Sequence, residues 1–144
     1  MLGLLNISEA MSIALHACVT LAEAPERYYS VHLVSEKLGF STHHSAKVAQ
    51  MLVRAGILKT ERGPAGGGKL ARSPREITLL EIYEAVGGRT RLKGCLLKPE
   101  ICKGNCCVLG KIIAKENERL FKLLRSITLD TVVRSLKRNR AKSE

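Results

Sequence analysis

The chain has 144 residues, enough for one compact domain, or one domain with an appended helix, but too few for two full domains. Its 24 Lys and Arg against 13 Asp and Glu give a formal net charge of +11, an excess typical of a protein that binds a polyanion. Aromatic side chains are scarce, so a stacking platform for single-stranded nucleic acid is poorly supplied. No run of 18 apolar residues and no signal-peptide pattern occur, and we therefore expect a cytoplasmic protein without membrane contact.

The first part of the chain predicts three helices. Apolar side chains at three- and four-residue spacing place them over residues 7–24, 31–38 and 42 to about 55. Each has a candidate cap before it, in order Asn6, Ser30, and Ser41 or Thr42. Each is followed by a residue that ends a helix, in order Pro25, Gly39 and Gly56. The short connection between the second and third helices is the one that a helix-turn-helix requires.

The third helix has an apolar side that can pack and a polar side that can enter a groove of duplex DNA. The polar side carries His43, His44, Lys47, Gln50 and Arg54. Lysine and arginine bind phosphates or guanine edges, and histidine and glutamine reach base edges. An ordinary solvated surface helix would show a similar mixture, and the basic hairpin that follows favours the DNA-reading interpretation.

A β-hairpin is predicted after the third helix, with strands at residues 57–62 and 69–71 and a glycine-rich tip between them. Arg62 and Lys69 flank the tip, and we expect both to contact DNA together with Gly63. Glycines allow the backbone to approach a phosphate or the minor groove closely. The run Gly66-Gly67-Gly68 lacks the Gly-Lys-Ser/Thr ending of a phosphate-binding loop, which argues against a nucleotide-hydrolysing enzyme.

The second half predicts three further helices around an irregular loop. Thr78 and Glu81 form a capping-box pattern for a helix that ends at Gly87-Gly88. Residues 89–107 show no periodicity, and a long amphipathic helix follows, from about Cys107 to Arg125. Thr128 can cap a last helix, which runs into a basic tail.

Four of the five cysteines lie within residues 95–107, at Cys95, Cys102, Cys106 and Cys107. Their spacing does not match the paired Cys-x-x-Cys motifs of zinc sites. Three thiolates from one loop with one further ligand better fit an iron–sulfur cluster, and free or redox-active thiols are the alternative. The fifth, Cys18, lies on an apolar stripe and is expected in the core.

An enzyme with a cysteine nucleophile would need a positioned base and a partner that orients it. His16 and His32 are better explained as helix residues with local hydrogen bonds. We therefore predict a protein that is not an enzyme.

Three segments together carry a resemblance to a known family. They are the hairpin segment Arg62-Gly63-Pro64-Ala65-Gly66-Gly67-Gly68-Lys69-Leu70-Ala71, the helix opening Ile77-Thr78-Leu79, and Ser126-Ile127-Thr128-Leu129. They resemble the Rrf-type winged-helix transcriptional regulators, which include the iron–sulfur regulator IscR and the nitric-oxide sensor NsrR, and the resemblance spans nearly the whole chain.

The resemblance implies a role for each group of residues. Cys95, Cys102 and Cys107 fall where the family holds its cluster, with Cys106 as a substitute. Gly110 stands where a ligating histidine is found in the iron–sulfur regulator, so the fourth ligand is open, with Glu9 or the position of Ser12 as candidates. The family's base-contact positions correspond to Ser41, Thr42, His43, His44, Ala46 and Lys47.

We thus expect a mainly α fold with a small β-hairpin, a winged helix-turn-helix followed by a long C-terminal dimerisation helix. Residues 1–88 would form the DNA-binding domain, 89–107 the cluster loop, and 108–144 the dimerisation helix, the final helix and the basic tail. The long helix would pack against its twin around Ile113, Leu120 and Leu124. The expected function is a homodimeric, sequence-specific regulator of double-stranded DNA controlled by a 2Fe–2S or 4Fe–4S cluster that senses redox state, iron or nitric oxide. The alternative is a cluster-free regulator switched by thiol oxidation, a partner protein or a metabolite.

Overall fold

The computed structural model describes residues 7–64, 66–88 and 107–143. The helices in these ranges are α1 (Glu9–Glu23), α2 (Val31–Leu38), α3 (Thr42–Arg54), α4 (Leu79–Gly87), α5 (Val108–Ser126) and α6 (Leu129–Arg140). The strands are β1 (Leu58–Glu61) and β2 (Gly67–Leu70), which pair antiparallel. The prediction of a mainly α fold with a small hairpin is confirmed. Within the described ranges, none of the helices combines the length and apolar character needed to span a bilayer.

Side-chain caps set the start of the helices. Ser30 accepts a hydrogen bond from the backbone N–H of His32, and Ser41 accepts one from that of His44, as predicted. For α1 the predicted cap was wrong, because Ser8 caps the helix by accepting from the backbone N–H of Met11 at 3.2 Å. Ser8 directly precedes the first helical residue, the position from which a short hydroxyl side chain reaches the orphan N–H groups.

The capping box at the start of α4 is present as predicted. The Thr78 side chain accepts from the backbone N–H of Glu81, and the Glu81 carboxylate accepts from the backbone N–H of Thr78. The same segment pairs with the start of α6, since the N–H of Leu129 donates to the carbonyl oxygen of Ile77 at 2.9 Å. This pairing fixes α6 against α4.

One continuous core joins these elements. Its fully buried side chains include Ile13 of α1, Leu52 of α3, Ile82 of α4 and Leu129 of α6. Burying a side chain of this size stabilises the folded state by about 1.5–3 kcal/mol. The core therefore holds α3 by its apolar side and leaves its opposite side at the surface.

The hairpin pairs Leu58 with Leu70 and Glu61 with Gly67. Two of the glycines expected at the tip, Gly67 and Gly68, lie in β2 instead. They pair with Glu61 and Thr60 of β1. Gly68 also makes a third strand-like contact, in which its N–H donates to the carbonyl oxygen of Tyr29 at 2.8 Å and the N–H of Tyr29 donates back at 2.9 Å. The segment before α2 thus anchors the hairpin beside the helix-turn-helix.

Candidate nucleic-acid interface

The outer side of α3 is polar and accessible. His43, Lys47, Gln50 and Arg54 are exposed, whereas Ser45, Val48 and Leu52 are buried. The exposed residues recur at the three- and four-residue spacing of one helix face. The division between the packing side and the polar side is as predicted, which leaves a row of hydrogen-bonding and cationic groups open to a partner.

The N-terminus of α3 is exposed and polar. Its cap, Ser41, uses the hydroxyl oxygen for the helix, and Thr42 Oγ1 lies 3.5 Å from Nδ1 of His32 on α2. A helix N-terminus with free N–H groups favours an anion such as a DNA phosphate. Ser41 and Thr42 therefore stand where a phosphate contact is chemically suitable.

His44 makes an intramolecular side-chain contact, which the sequence pattern did not predict. Its Nδ1 lies 3.1 Å from Oε2 of Glu9 at the start of α1, and the side chains are 36% and 61% exposed. A side-chain contact this exposed contributes at most about 1 kcal/mol. The contact joins a predicted DNA-binding residue to a predicted cluster ligand.

The hairpin tip presents Arg62 and Gly63 to solvent. Gly63 has a φ of 122°, and its carbonyl oxygen accepts the N–H of Gly66 at 3.0 Å, which closes the turn. In the part of the chain that the structure describes, Arg62 forms no ion pair. Its guanidinium is thus available for a phosphate or a base edge.

Two glycines of the hairpin are required by the close approach of the protein's own backbone. A Cβ on Gly66 would lie 2.2 Å from the carbonyl oxygen of Glu61, and one on Gly67 would lie 2.5 Å from that of Tyr29. The expectation that the glycines of the tip let the backbone approach a phosphate stays a prediction, and the structure adds a steric role for Gly66 and Gly67. They allow the tip to fold tightly and β2 to reach the segment before α2.

Lys69 lies against an aromatic ring. Its Nζ is 4.4 Å from the ring centroid of Tyr28, a distance typical of a cation–π contact. A side-chain hydrogen bond with Glu61 raises the pKa of Tyr28 above its usual value. Tyr28 thereby holds Lys69 in place beside the hairpin, and the ammonium stays at the surface.

Two of the basic residues that follow the hairpin are bound within the fold. Arg72 donates to the carbonyl oxygens of Gly56 and Glu76 and to Oε1 of Glu81, the last at 2.7 Å. Arg75 lies 3.8 Å from Asp130 of α6. They fasten the hairpin to α4 and α6.

Helix α3 and the hairpin border one surface cleft. Gln50 and Arg54 of α3 line it together with Thr60 of β1 and Val31 of α2. Gln50 and Arg54 therefore face the same side of the molecule as the first strand of the hairpin.

Cys95, Cys102 and Cys106 lie outside the described residues. Cys107 is half-buried and caps α5, with Sγ accepting from the backbone N–H of Gly110 at 3.2 Å. Within residues 7–64, 66–88 and 107–143, no three His, Cys, Asp or Glu side chains come together as a metal-binding group. Cys18 is in the core as expected, and burial raises its pKa to about 12.

Helix α5 carries exposed apolar side chains along one face. They are Val108, Leu109, Ile112, Ile113 and Leu123, from 40% to 69% exposed. Of the residues predicted to form the dimer seam, Ile113 is exposed, while Leu120 and Leu124 are half-buried. Exposed apolar side chains of this kind are typical of a protein–protein contact, and the exposed Glu116 lies between Ile113 and Leu123 on the same face.

Comparison with known proteins identifies the family of this chain. The model of the Rrf2 family, described as an iron-dependent transcriptional regulator, matches residues 7–135. The chain belongs to the Rrf2 family. It is accordingly a DNA-binding transcriptional regulator.

Individual relatives cover different shares of the chain. BadM of Rhodopseudomonas palustris, by name an HTH-type transcriptional regulator, is 36% identical over 78 residues, which are 54% of this chain and half of BadM. The solved structure of T. potens IscR is 25% identical, covers 92% of this chain and 88% of its own, and has a TM-score of 0.76. The structure of CymR, the global cysteine regulator of B. subtilis, is 22% identical, covers 92% and 98%, and has a TM-score of 0.78. The last likeness concerns the fold alone.

Proposed function

We propose that this Rrf2 protein is a homodimer that reads duplex DNA through α3 and the hairpin, and that an iron–sulfur cluster bound by the cysteine loop sets its DNA affinity. The observation that carries the proposal is the contact between Glu9 and His44. It connects a candidate ligand of the cluster directly to the DNA-reading helix.

DNA contacts are assigned from exposure and charge. His43, Lys47 and Arg54 would meet base edges and phosphates in the major groove. Ser41 and Thr42 would meet a phosphate at the N-terminus of α3. Arg62, Gly63 and Lys69 would meet the backbone or the minor groove beside it. His44 would join them from the first turn of α3, where its side chain also contacts Glu9.

The dimer is proposed through the exposed apolar face of α5. A second copy of the chain is the occupant because two reading heads on one duplex require a symmetric pair, and a two-fold interface is self-complementary. Leu109, Ile112, Ile113 and Leu123 supply the apolar side chains for this contact.

The donor set suits an iron–sulfur cluster. Cys95, Cys102 and Cys107 supply three thiolates, with Cys106 as a substitute, and Glu9 is the proposed fourth ligand. The cluster, when bound, supplies a one-electron redox centre that oxidants and nitric oxide attack. The N–H of Gly110 donates to Sγ of Cys107, and hydrogen bonds to ligating sulfurs tune such centres. If Glu9 held the cluster, any change in the position of its carboxylate would reach α3 through the contact with His44.

Anaerobic reconstitution with iron and sulfide tests this proposal. We expect a visible charge-transfer spectrum that is lost in the triple variant Cys95→Ala, Cys102→Ala and Cys107→Ala, while Cys18→Ala keeps it. Native mass spectrometry would count iron and sulfide per dimer. A colourless protein that binds its operator with full affinity would overturn the cluster part of the proposal.

A second candidate keeps the DNA-binding dimer and replaces the cluster by thiol oxidation, or by a partner protein or metabolite. The fold likeness to CymR, by name a cysteine regulator, favours it. Mass spectrometry under oxidant distinguishes the two candidates. A disulfide within the loop of iron-free protein, accompanied by a change in DNA affinity, supports the second candidate.

A further inference from the structure

The helix-turn-helix and the hairpin border a cavity that the proposed function does not use. It lies between α1, α2, α3 and the hairpin, and the centre of a water-sized sphere can move through about 50 Å³ of it. One water requires roughly 10–15 Å³ by this measure. The cavity therefore has space for a molecule of about three to five non-hydrogen atoms.

The lining of the cavity is apolar except at a few points. Ile13, Leu52 and Leu58 form part of its buried floor, and among the lining side chains only Ser45, Tyr29 and Thr60 carry a polar atom. The backbone groups of Tyr29 and Gly68 that adjoin the cavity are already hydrogen-bonded to each other. A water held there would find few of the two to four polar partners that it needs.

The lining of the cavity includes the buried hydroxyl of Ser45. Its side chain lies in this lining, the residue is 6% exposed, and its Oγ has no hydrogen-bond partner in the described structure. A buried hydroxyl without a partner lowers stability, and a small apolar residue would fill this helix position without that cost. A hydroxyl kept at such a site can bind a ligand that enters the cavity.

The cavity has a route to solvent. Val31, Ala49 and Thr60 line both the cavity and the open cleft beside Gln50 and Arg54. The cavity and the cleft are therefore adjacent, and we expect a small molecule to enter between α3 and β1.

We propose that the cavity around Ser45 is a binding site for a small uncharged molecule with an apolar body and one hydrogen-bonding group, such as a short-chain alcohol. The ligand's polar group pairs with Ser45 Oγ, and its apolar body fills the space between α2 and α3. Occupancy sets the spacing between α2 and the DNA-reading helix α3. The site is therefore an input separate from the cysteine loop.

Titration of the ¹⁵N-labelled full chain with n-propanol, followed by amide chemical shifts, tests the site without DNA or iron. We expect saturable shifts concentrated at Ser45, Ala49 and Val34, with an affinity in the millimolar range that so small a ligand can reach. Xenon, an apolar probe, should shift the same amides.

Two variants separate the hydroxyl from the space. Ser45→Ala removes the hydroxyl and should weaken n-propanol binding roughly fivefold, the value of one hydrogen bond, while leaving xenon binding unchanged. Ala17→Leu fills the cavity from α1, away from the DNA-reading side of α3, and should abolish both. Ala49→Val serves the same purpose if Ala17→Leu does not fold.

Two results would overturn the proposal. Shifts that rise linearly with n-propanol and persist in the filled variant would show that no site exists. Equal n-propanol affinity in Ser45→Ala and the wild type would show that the hydroxyl takes no part. Because neither measurement involves a cluster or an operator, failure here leaves the proposed regulatory function unaffected.

Discussion

Oε2 of Glu9 lies 3.1 Å from Nδ1 of His44, so the first residue of α1 contacts the first turn of α3 across 35 positions of sequence. Both residues are predicted functional residues, one as a cluster ligand and the other as a DNA contact. A single side-chain contact between them offers a direct physical coupling. Any ligand that engages the Glu9 carboxylate changes what His44 can reach.

Separate variants of the two partners test this coupling. Glu9→Ala should lose its cluster faster than the wild type, because one of four ligands is removed. His44→Ala should keep the cluster and bind the operator about tenfold more weakly, the usual value of one base contact. The measurements are the decay of the visible spectrum and binding to a duplex selected by the wild-type protein. A Glu9→Ala variant with a wild-type decay rate would contradict the assignment of Glu9.

Gly66 and Gly67 of the hairpin are expected to be needed for the stability of the fold. Gly66→Ala and Gly67→Ala should each lower the free energy of unfolding by more than about 1 kcal/mol, since the added Cβ meets backbone oxygen atoms that cannot move freely. Gly68→Ala is the matched control, because the nearest atom to its Cβ is 4.0 Å away. Urea unfolding measures the difference, and equal losses in all three variants would refute the steric account.

Two arginines near the hairpin should behave oppositely although their charge is the same. Arg62→Ala should leave stability within about 0.5 kcal/mol and reduce the salt dependence of DNA binding by about one unit of log–log slope. Arg72→Ala should instead lower stability by about 1 kcal/mol, because it loses hydrogen bonds to Gly56, Glu76 and Glu81, and should keep the slope. Salt titrations with duplex DNA and thermal unfolding distinguish the two roles, and an unchanged slope in Arg62→Ala would remove it from the interface.

Local patterns were sufficient to predict most of the fold. Helix α2, its Gly39 stop and the capping box of α4 are confirmed because their signals lie within a few adjacent residues. Cys18 is in the core for the same reason, since its apolar stripe is a helix periodicity.

Contacts between distant segments could not be read from the sequence. The pairing of Tyr29 with Gly68 depends on where the segment before α2 lies in space, which no local pattern gives. Similarly, no spacing rule links Glu9 to His44 or distinguishes Arg62 at the tip from Arg72 inside the fold. The composition predicts a positively charged interface. Tertiary contacts decide which Lys and Arg side chains remain available to form it.

The exposed face of α5 yields a prediction about assembly. Ile112→Glu should shift the protein from dimer to monomer, because a carboxylate would be buried against the apolar face of the partner. Lys111→Glu, on the polar side of the same helix, should leave the dimer intact. Sedimentation equilibrium measures both, and a dimeric Ile112→Glu would place the interface elsewhere.

The last prediction concerns pH and the junction between the hairpin and α4. Burial raises the pKa of Glu81, but hydrogen bonds from Thr78 and Arg72 outweigh it, so the net effect lowers the pKa below the usual glutamate value. A lowered folded-state pKa means that Glu81 stabilises the protein above the unfolded-state pKa of about 4.3. This contribution is lost as the pH falls through the folded-state pKa.

Glu81→Gln tests this, because glutamine at this position can keep the capping box while losing the charge. We expect the variant to lose less stability than the wild type on acidification from about pH 5 to pH 3. The difference should stay below about 1 kcal/mol, since Arg72 and Glu81 side chains are each 38% exposed. Glu26→Gln, at an exposed glutamate in the turn after α1, is the matched control for the removal of one negative charge. Urea unfolding at each pH gives the comparison, and parallel profiles for Glu81→Gln and the wild type would exclude Glu81 as the titrating group.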